Sequence, residues 1–339
     1  MNMSPAPRST VAFWIVIALL GFGLLVSLGL NTGLTVALVT KGGAHRPHLH
    51  GERGVDEFPT LTEVWSYGQG KVKAVHIPVT GVIMRGGEET LLGQTPDMVE
   101  SVLQQIRAAR NDDEVRALIV EVDSPGGGVT ASDEIYAALM DFKASREDRR
   151  ILVFIRDMAA SGGYYVAAAG DWLMAEPTSI IGSIGVILQS LNMKGLSEKI
   201  GVRDVTIKSG ANKDLLNPFT DVSPEQRALL QEVIDASYRR FVGLVQDSRG
   251  LDEEKLKELA DGRIFASDRA LEHQLIDQIG YWDDAVAKMA ELLEEESVRV
   301  IRYEWEPDIF SWLSRVKFNL HPSAWFHSPP AKMQYLWQP

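Results

Sequence analysis

Two short apolar runs, "RALIVEVDS" (Arg116–Ser124) and "ILVFIRD" (Ile151–Asp157), constrain this chain more than any other feature. Both are rich in β-branched residues and little interrupted by polar ones, so each reads as a strand buried on both faces. Such strands need helices above and below them, and the sequence supplies these. "KAVHIPVTGVI" (Lys73–Ile83) reads as another strand, and "PDMVESVLQQIRAAR" (Pro96–Arg110) has the apolar spacing of an amphipathic helix. A helix over about Ala131–Lys143 follows the first run, and "DWLMAE" (Asp171–Glu176) and "VRDVTIKSG" (Val202–Gly210) read as further strands. The segment Ser223–Ser248 opens with Ser223 and Gln226 at capping-box spacing and Pro224 at the first helical position. Alternating strands and helices predict one α/β domain with largely parallel pairing, from about Val72 to Tyr303.

The N-terminus poses a separate problem. No charged residue occurs from Ser9 to Thr40, and "VAFWIVIALLGFGLLVSLGL" (Val11–Leu30) is almost wholly apolar. About 20 such residues cross a bilayer as a helix, whereas the apolar part of a cleaved signal peptide is about 7–15 residues long. The length favours an anchor. Flanking charges run mildly against an inside N-terminus, with Arg8 on one side and Lys41, Arg46 and Arg53 on the other. The organisation is therefore read as a short segment 1–10, a transmembrane anchor 11–39, a linker 40–70, the domain 71–304 and a Trp/Pro-rich tail 305–339. His45, His48 and His50 in the linker are read as solvated rather than metal-binding, because no other ligand cluster supports them. Exposed aromatics are costly, so the tail is expected to pack on the domain, a neighbouring subunit or the membrane surface.

A net charge of -12 argues against nucleic acid as a partner, and the absence of cysteine excludes disulfides and thiolate metal sites. Three stretches remain as candidates for chemistry. "DSPGGGVTASDE" (Asp123–Glu134) joins a buried strand to a helix, where main-chain N–H groups can face an anion or oxyanion. It lacks the Gly-Lys-Ser/Thr ending of a phosphate loop, and a tight structural turn explains it equally well. "DMAASGGYYVAAAGD" (Asp157–Asp171) places Ser161 between a strand and a helix, where a serine is usually a cap. "TIKSGANKD" (Thr206–Asp214) carries Lys208 and Lys213 around a small-residue turn. His76 and His273 are the only histidines inside the domain and neither lies near Ser161 in sequence, which turns attention to serine-lysine chemistry. A lysine that accepts a serine's proton must be neutral. Its pKa must fall from about 10.4 toward 7–8, so activity should rise into the alkaline range.

Together "DSPGGGV", "MAASGGYYVAAA", "IGSIGVI", "TIKSGANKD" and "ADGRIFASDRALEHQLIDQIG" resemble the signal peptide peptidase A family, in the family's order and over about Val72–Gly280. The resemblance implies a ClpP/crotonase-like α/β domain with repeated β-β-α units, behind one N-terminal transmembrane helix. It implies Ser161 as nucleophile and Lys213 as general base, with Lys208 as the wrong-register alternative. Gly127 and Gly162 match the oxyanion-hole donors, and Ser183 matches the serine that holds the lysine. The family works without metal or cofactor. Its short form has one domain and assembles into a homo-oligomeric ring in which adjacent subunits contribute the serine and the lysine. Peptide substrates, a single-pass membrane location and an extracytoplasmic domain follow, periplasmic where the cell has an outer membrane. "HQLID" departs from the family's usual glycine-containing version, and the tail is not part of the shared pattern. An acyl-CoA hydratase or isomerase of the crotonase type, or a non-catalytic membrane scaffold, are the alternatives.

Overall fold

A computed structural model describes residues 20–29, 57–59, 61–86, 89–90, 93–94, 97–304 and 334–336. The chain divides into two units, Met1–Val55 and Asp56–Pro339. In the first, residues 20–29 are helical (α1), and the remainder of the expected anchor lies outside the described residues. No helix among the described residues is long and apolar enough to cross a membrane.

The second unit begins with β1 (Thr62–Tyr67), inside the stretch expected to be linker, followed by β2 (Val72–Thr80) and the short hairpin β3 (Glu89–Thr90) and β4 (Gly93–Gln94). Next come α2 (Met98–Asn111), β5 (Val115–Ser124), β6 (Gly126–Gly128), α3 (Val129–Ala144), β7 (Arg150–Ala160) and α4 (Gly162–Ala167). β8 (Trp172–Ala175), β9 (Ile180–Gly182), α5 (Lys194–Ile200) and α6 (Pro224–Arg249) follow. The unit ends with α7 (Glu253–Leu259), β10 (Ile264–Ala266), α8 (Ser267–Glu272), β11 (Gln278–Ile279), α9 (Trp282–Leu292), β12 (Val298–Glu304) and β13 (Gln334–Leu336).

The main sheet runs β1-β12-β2-β5-β7-β8-β11, parallel from β12 to β11, with β9 continuing beside the end of β7. Its central strands β5 and β7 are buried on both faces, as their composition predicts. Ile151, Val153 and Ile155 point into one core with Val102, Ile106, Ile135 and Leu139 of α2 and α3. Leu152 and Phe154 point into the other, against Ala285, Val286 and Met289 of α9. The capping box at Ser223 and Gln226 forms as expected and starts the 26-residue α6.

Val202–Gly210, expected as a strand, is irregular. Its β-branched residues find no neighbouring strand among the described residues, and Val205 and Ile207 are 85% and 97% exposed. Propensity without a pairing partner does not make a strand.

Candidate active site

β7 carries the chain through the middle of the sheet and stops at Ser161, where α4 begins. Ser161 sits at φ 53 and ψ -117, outside the conformations an L-residue ordinarily adopts. It is 2% exposed and makes no side-chain capping bond to α4, so the ordinary role of a serine at a helix start does not apply. Its main chain is fully engaged. The Ser161 N–H donates to the Gly182 carbonyl (2.7 Å), and the Ser161 carbonyl accepts from the Tyr165 N–H (2.9 Å). The backbone is thus held in a strained bend while no described residue bonds the hydroxyl. Strain of this kind, about 1–3 kcal/mol per residue, persists where surrounding structure over-determines it and is concentrated at functional sites.

The other half of that bond leads into a second unusual bend, open to glycine at Gly182 but strained at Ser183. Gly182 has φ 109 and Ser183 φ 51, and the Ser183 N–H donates to the Arg263 carbonyl (2.7 Å). Ala160 and Gly182 are in register where β9 runs parallel to the end of β7, so Ser161 and Ser183 leave adjacent strands at the same level.

Gly162 and Gly127 complete the corner. A methyl group on Gly162 would lie 2.5 Å from the Ser132 Oγ, 3.1 Å from the Gly127 nitrogen and 3.2 Å from the Gly126 Cα. The glycines after Ser161 therefore admit close neighbours rather than leave open space. Gly126–Gly128, read from sequence as a turn, is a short strand. Ile83 donates to the Gly126 carbonyl (2.9 Å) and accepts from the Gly128 N–H (2.7 Å). Because N–H and C=O of one peptide plane point opposite ways, the Gly127 N–H is left facing away from Ile83. The Gly162 N–H, at the first position of α4, has no intrahelical acceptor. Two main-chain donors therefore border Ser161, in the arrangement that stabilises a developing oxyanion.

Sequence reasoning did not single out what holds the corner in place. Ser132, fully buried, donates to the Gly128 carbonyl (3.0 Å) beside Gly162. Asp133 accepts from the Tyr165 hydroxyl (2.5 Å) and from Nε and a terminal nitrogen of Arg240 (2.9 and 2.6 Å), tying α4 to α3 and α6. Tyr164 donates to the Leu275 carbonyl (2.7 Å), and burial pushes its phenol well above the usual range. The only sequence signal was that both tyrosines follow Ser161 within one helical turn.

Lys213 is not brought to this corner by contacts within the chain. It is exposed, on the segment between α5 and α6, and its ammonium has no hydrogen-bond or ion-pair partner among the described residues. Asp214, which would hold a neighbouring amine in its charged form, pairs with Lys208 instead (2.7 Å), and Lys208 also donates to the Ala211 carbonyl (3.1 Å). The Lys208 ammonium lies beside Asp214 and depresses that carboxyl. Lys208 is thereby committed to an ion pair, and Lys213 is in none among the described residues. The hydroxyl of Ser183 is likewise not bonded to Lys213. No group of three or more metal-ligating side chains occurs among the described residues.

An α/β sheet ending in a strained serine, bordered by two main-chain N–H groups, is the framework of an acyl-transfer enzyme. Residues 143–296 match the model for peptidase family S49. A relative in Enterococcus faecium named for signal peptide peptidase SppA is 38% identical over 253 residues, covering 74% of this chain and 73% of its own. Protease 4 of Salmonella typhi is 33% identical over 68% of this chain but only 36% of its own length. A ClpP1 mutant from Listeria monocytogenes superposes over 62% of this chain and 93% of its own at a TM-score of 0.41 and 13% identity, too slight a likeness to bear on mechanism. The chain belongs to peptidase family S49, among the signal peptide peptidase A proteins. It is a serine protease, which decides against an acyl-CoA hydratase or a scaffold.

Proposed function

We propose that the protein is a membrane-anchored endopeptidase that cleaves remnant signal peptides and other membrane-associated chains with a Ser161–Lys213 dyad. The observation that carries this reading is Ser161 itself, a buried serine in a strained strand-to-helix bend with a non-capping hydroxyl. Its Oγ attacks the scissile carbonyl while its proton passes to the neutral Lys213 amine, which the Ser183 hydroxyl orients. The N–H groups of Gly127 and Gly162 bind the resulting oxyanion. Lys213 then returns the proton to the leaving amine, and water, deprotonated by the same lysine, releases the acyl group.

The dyad closes between subunits of a homo-oligomeric ring. Supporting this are the exposed Lys213, whose ammonium has no partner among the described residues, and the apolar surface of its segment, where Leu191, Leu196, Ile200, Val205 and Ile207 are all solvent-exposed. A patch of this kind marks an association surface. The apolar run Val11–Leu30 supports the anchor and, with family membership, an extracytoplasmic domain.

The test is hydrolysis of casein and of a synthetic signal peptide by the wild type and by Ser161→Ala and Lys213→Ala. Cleavage by the wild type alone, rising with pH, is expected. Undiminished cleavage by either variant would sink the dyad.

A further inference from the structure

α4 has only six residues, too few to hold a helix by its own hydrogen bonds, so its pose depends on what grips it from outside. Two consecutive side chains provide the grip. Tyr164 is fully buried and donates to the Leu275 carbonyl (2.7 Å), a main-chain acceptor fixed by the fold. Tyr165 is held by side chains. Its hydroxyl donates to Asp133 Oδ1 (2.5 Å), and its ring packs against Tyr136 and Phe241 at centroid separations of 5.6 and 5.0 Å.

Tyr165 also supplies the N–H that bonds the Ser161 carbonyl (2.9 Å). One residue thus joins the bend at Ser161 to Asp133 on α3, by its main chain at one end and its hydroxyl at the other. The bend needs such a hold, because a φ of 53 at a serine persists only where its surroundings over-determine it. The same Asp133 oxygen accepts from Nε and a terminal nitrogen of Arg240 on α6 (2.9 and 2.6 Å). That guanidinium gives the half-buried carboxylate a countercharge, and bonds to a charged acceptor are the stronger kind.

We propose that Asp133 is a positioning residue for the peptidase reaction: through Tyr165 it sets where α4 begins, and with it the placement of the Ser161 hydroxyl and the Gly162 N–H. The inference rests on Ser161 being the nucleophile. A misplacement of about 1 Å at a reacting group can cost on the order of 10²-fold in rate, so loosening this hold lowers kcat and leaves KM, set by contacts along the rest of the substrate, unchanged.

Variants of the full chain separate this from a purely structural role. Tyr165→Phe removes only the hydroxyl and should lower kcat on a fluorogenic peptide about tenfold at constant KM. Asp133→Ala should do the same, and the double variant should be no worse than either, because both cut one connection. Asp133→Asn keeps an acceptor oxygen and should bring kcat back to within about threefold of the wild type. Arg240→Ala leaves Tyr165 its acceptor and should lower kcat less than about threefold. In hydrogen exchange, the Tyr165 amide should lose about tenfold of its protection in Tyr165→Phe and in Asp133→Ala, while the amides of β5 and β7 keep theirs. If the wild type cleaves the peptide but Tyr165→Phe changes neither kcat nor the exchange of that amide, the positioning role is overturned and the peptidase reading stands. Equal losses of kcat in Arg240→Ala and Asp133→Ala, with Tyr165→Phe at the wild-type rate, would assign Asp133 to holding α6 and overturn it as well. If the amide loosens although the wild type cleaves no peptide, the hold on α4 stands and the catalytic reading falls.

Discussion

The corner around Ser161 and the segment around Lys213 are built on opposite principles. At the corner the main chain of Ser161 is bonded on both sides, side chains are buried, and a methyl group more at Gly162 would collide with Ser132. Around Lys213 the backbone is irregular, apolar side chains face solvent, and the amine has no described partner. On the proposed dyad, one half of the chemistry is finished within the fold and the other is held out from it. A nucleophile must be fixed to a fraction of an ångström by its own scaffold. If Lys213 is the base and acts across an interface, as proposed, it is positioned by assembly, and its segment would be shaped for a partner surface rather than for the interior.

The sharpest way to break this contrast is to remove each half. Ser161→Ala should lower peptide hydrolysis by at least about 10³-fold with little change in thermal unfolding. Lys213→Ala should do nearly the same. Mixing the two inactive proteins under conditions that exchange subunits should then restore activity at about a quarter of the sites, since a site needs Ser161 from one variant and Lys213 from the other. Recovery of nothing would place both residues in one subunit. Ile207→Asp, on the exposed segment, should reduce the oligomer seen by sedimentation and lower activity about tenfold or more, while the monomer melts as before.

Smaller effects probe the rigid half. Gly162→Ala should cost about 1–3 kcal/mol in denaturant unfolding, because its methyl group meets the hydrogen-bonded Ser132 and the Gly126–Gly127 main chain. The smallest effect lies far from the site, at the β2 end of the sheet. Burial opposes ionisation of Asp112, but its bonds to Lys73 (2.5 Å) and to the Glu114 N–H outweigh this and hold the carboxyl below its usual range. A depressed carboxyl stabilises the fold above its unfolded pKa, about 3.9, and that stability is lost as pH falls through the lower folded value. Lys73→Met should flatten this acid dependence in a titration of unfolding against pH.

Much of the rigid half was legible in the sequence and little of the other. β5 and β7 announced themselves because strands covered on both faces admit almost no polar residue, and Ser223, Pro224 and Gln226 announced the start of α6 because a cap is a local device. The strain at Ser161 and Ser183 was not legible, since it comes from the pairing of β7 with β9, more than 20 residues apart. Asp133 was hidden for the same reason: its partners, Tyr165 and Arg240, are 32 and 107 residues away. Val202–Ile207 misled in the other direction. Its β-branched residues are those of a strand, yet no strand among the described residues pairs with it. β1 and β13 carry little periodicity, and each is a strand only because β12 and β6 present an edge to it.

The glycine composition of β6 has a wider consequence. If a peptide paired with it, a strand without side chains would contribute nothing to distinguishing one sequence from another. It would distinguish conformations instead: a chain whose N–H and C=O groups are already spent in helices or sheets has none to offer it. Folded proteins would then be spared without being recognised at all, and loose, extended polypeptide would be exposed to the serine.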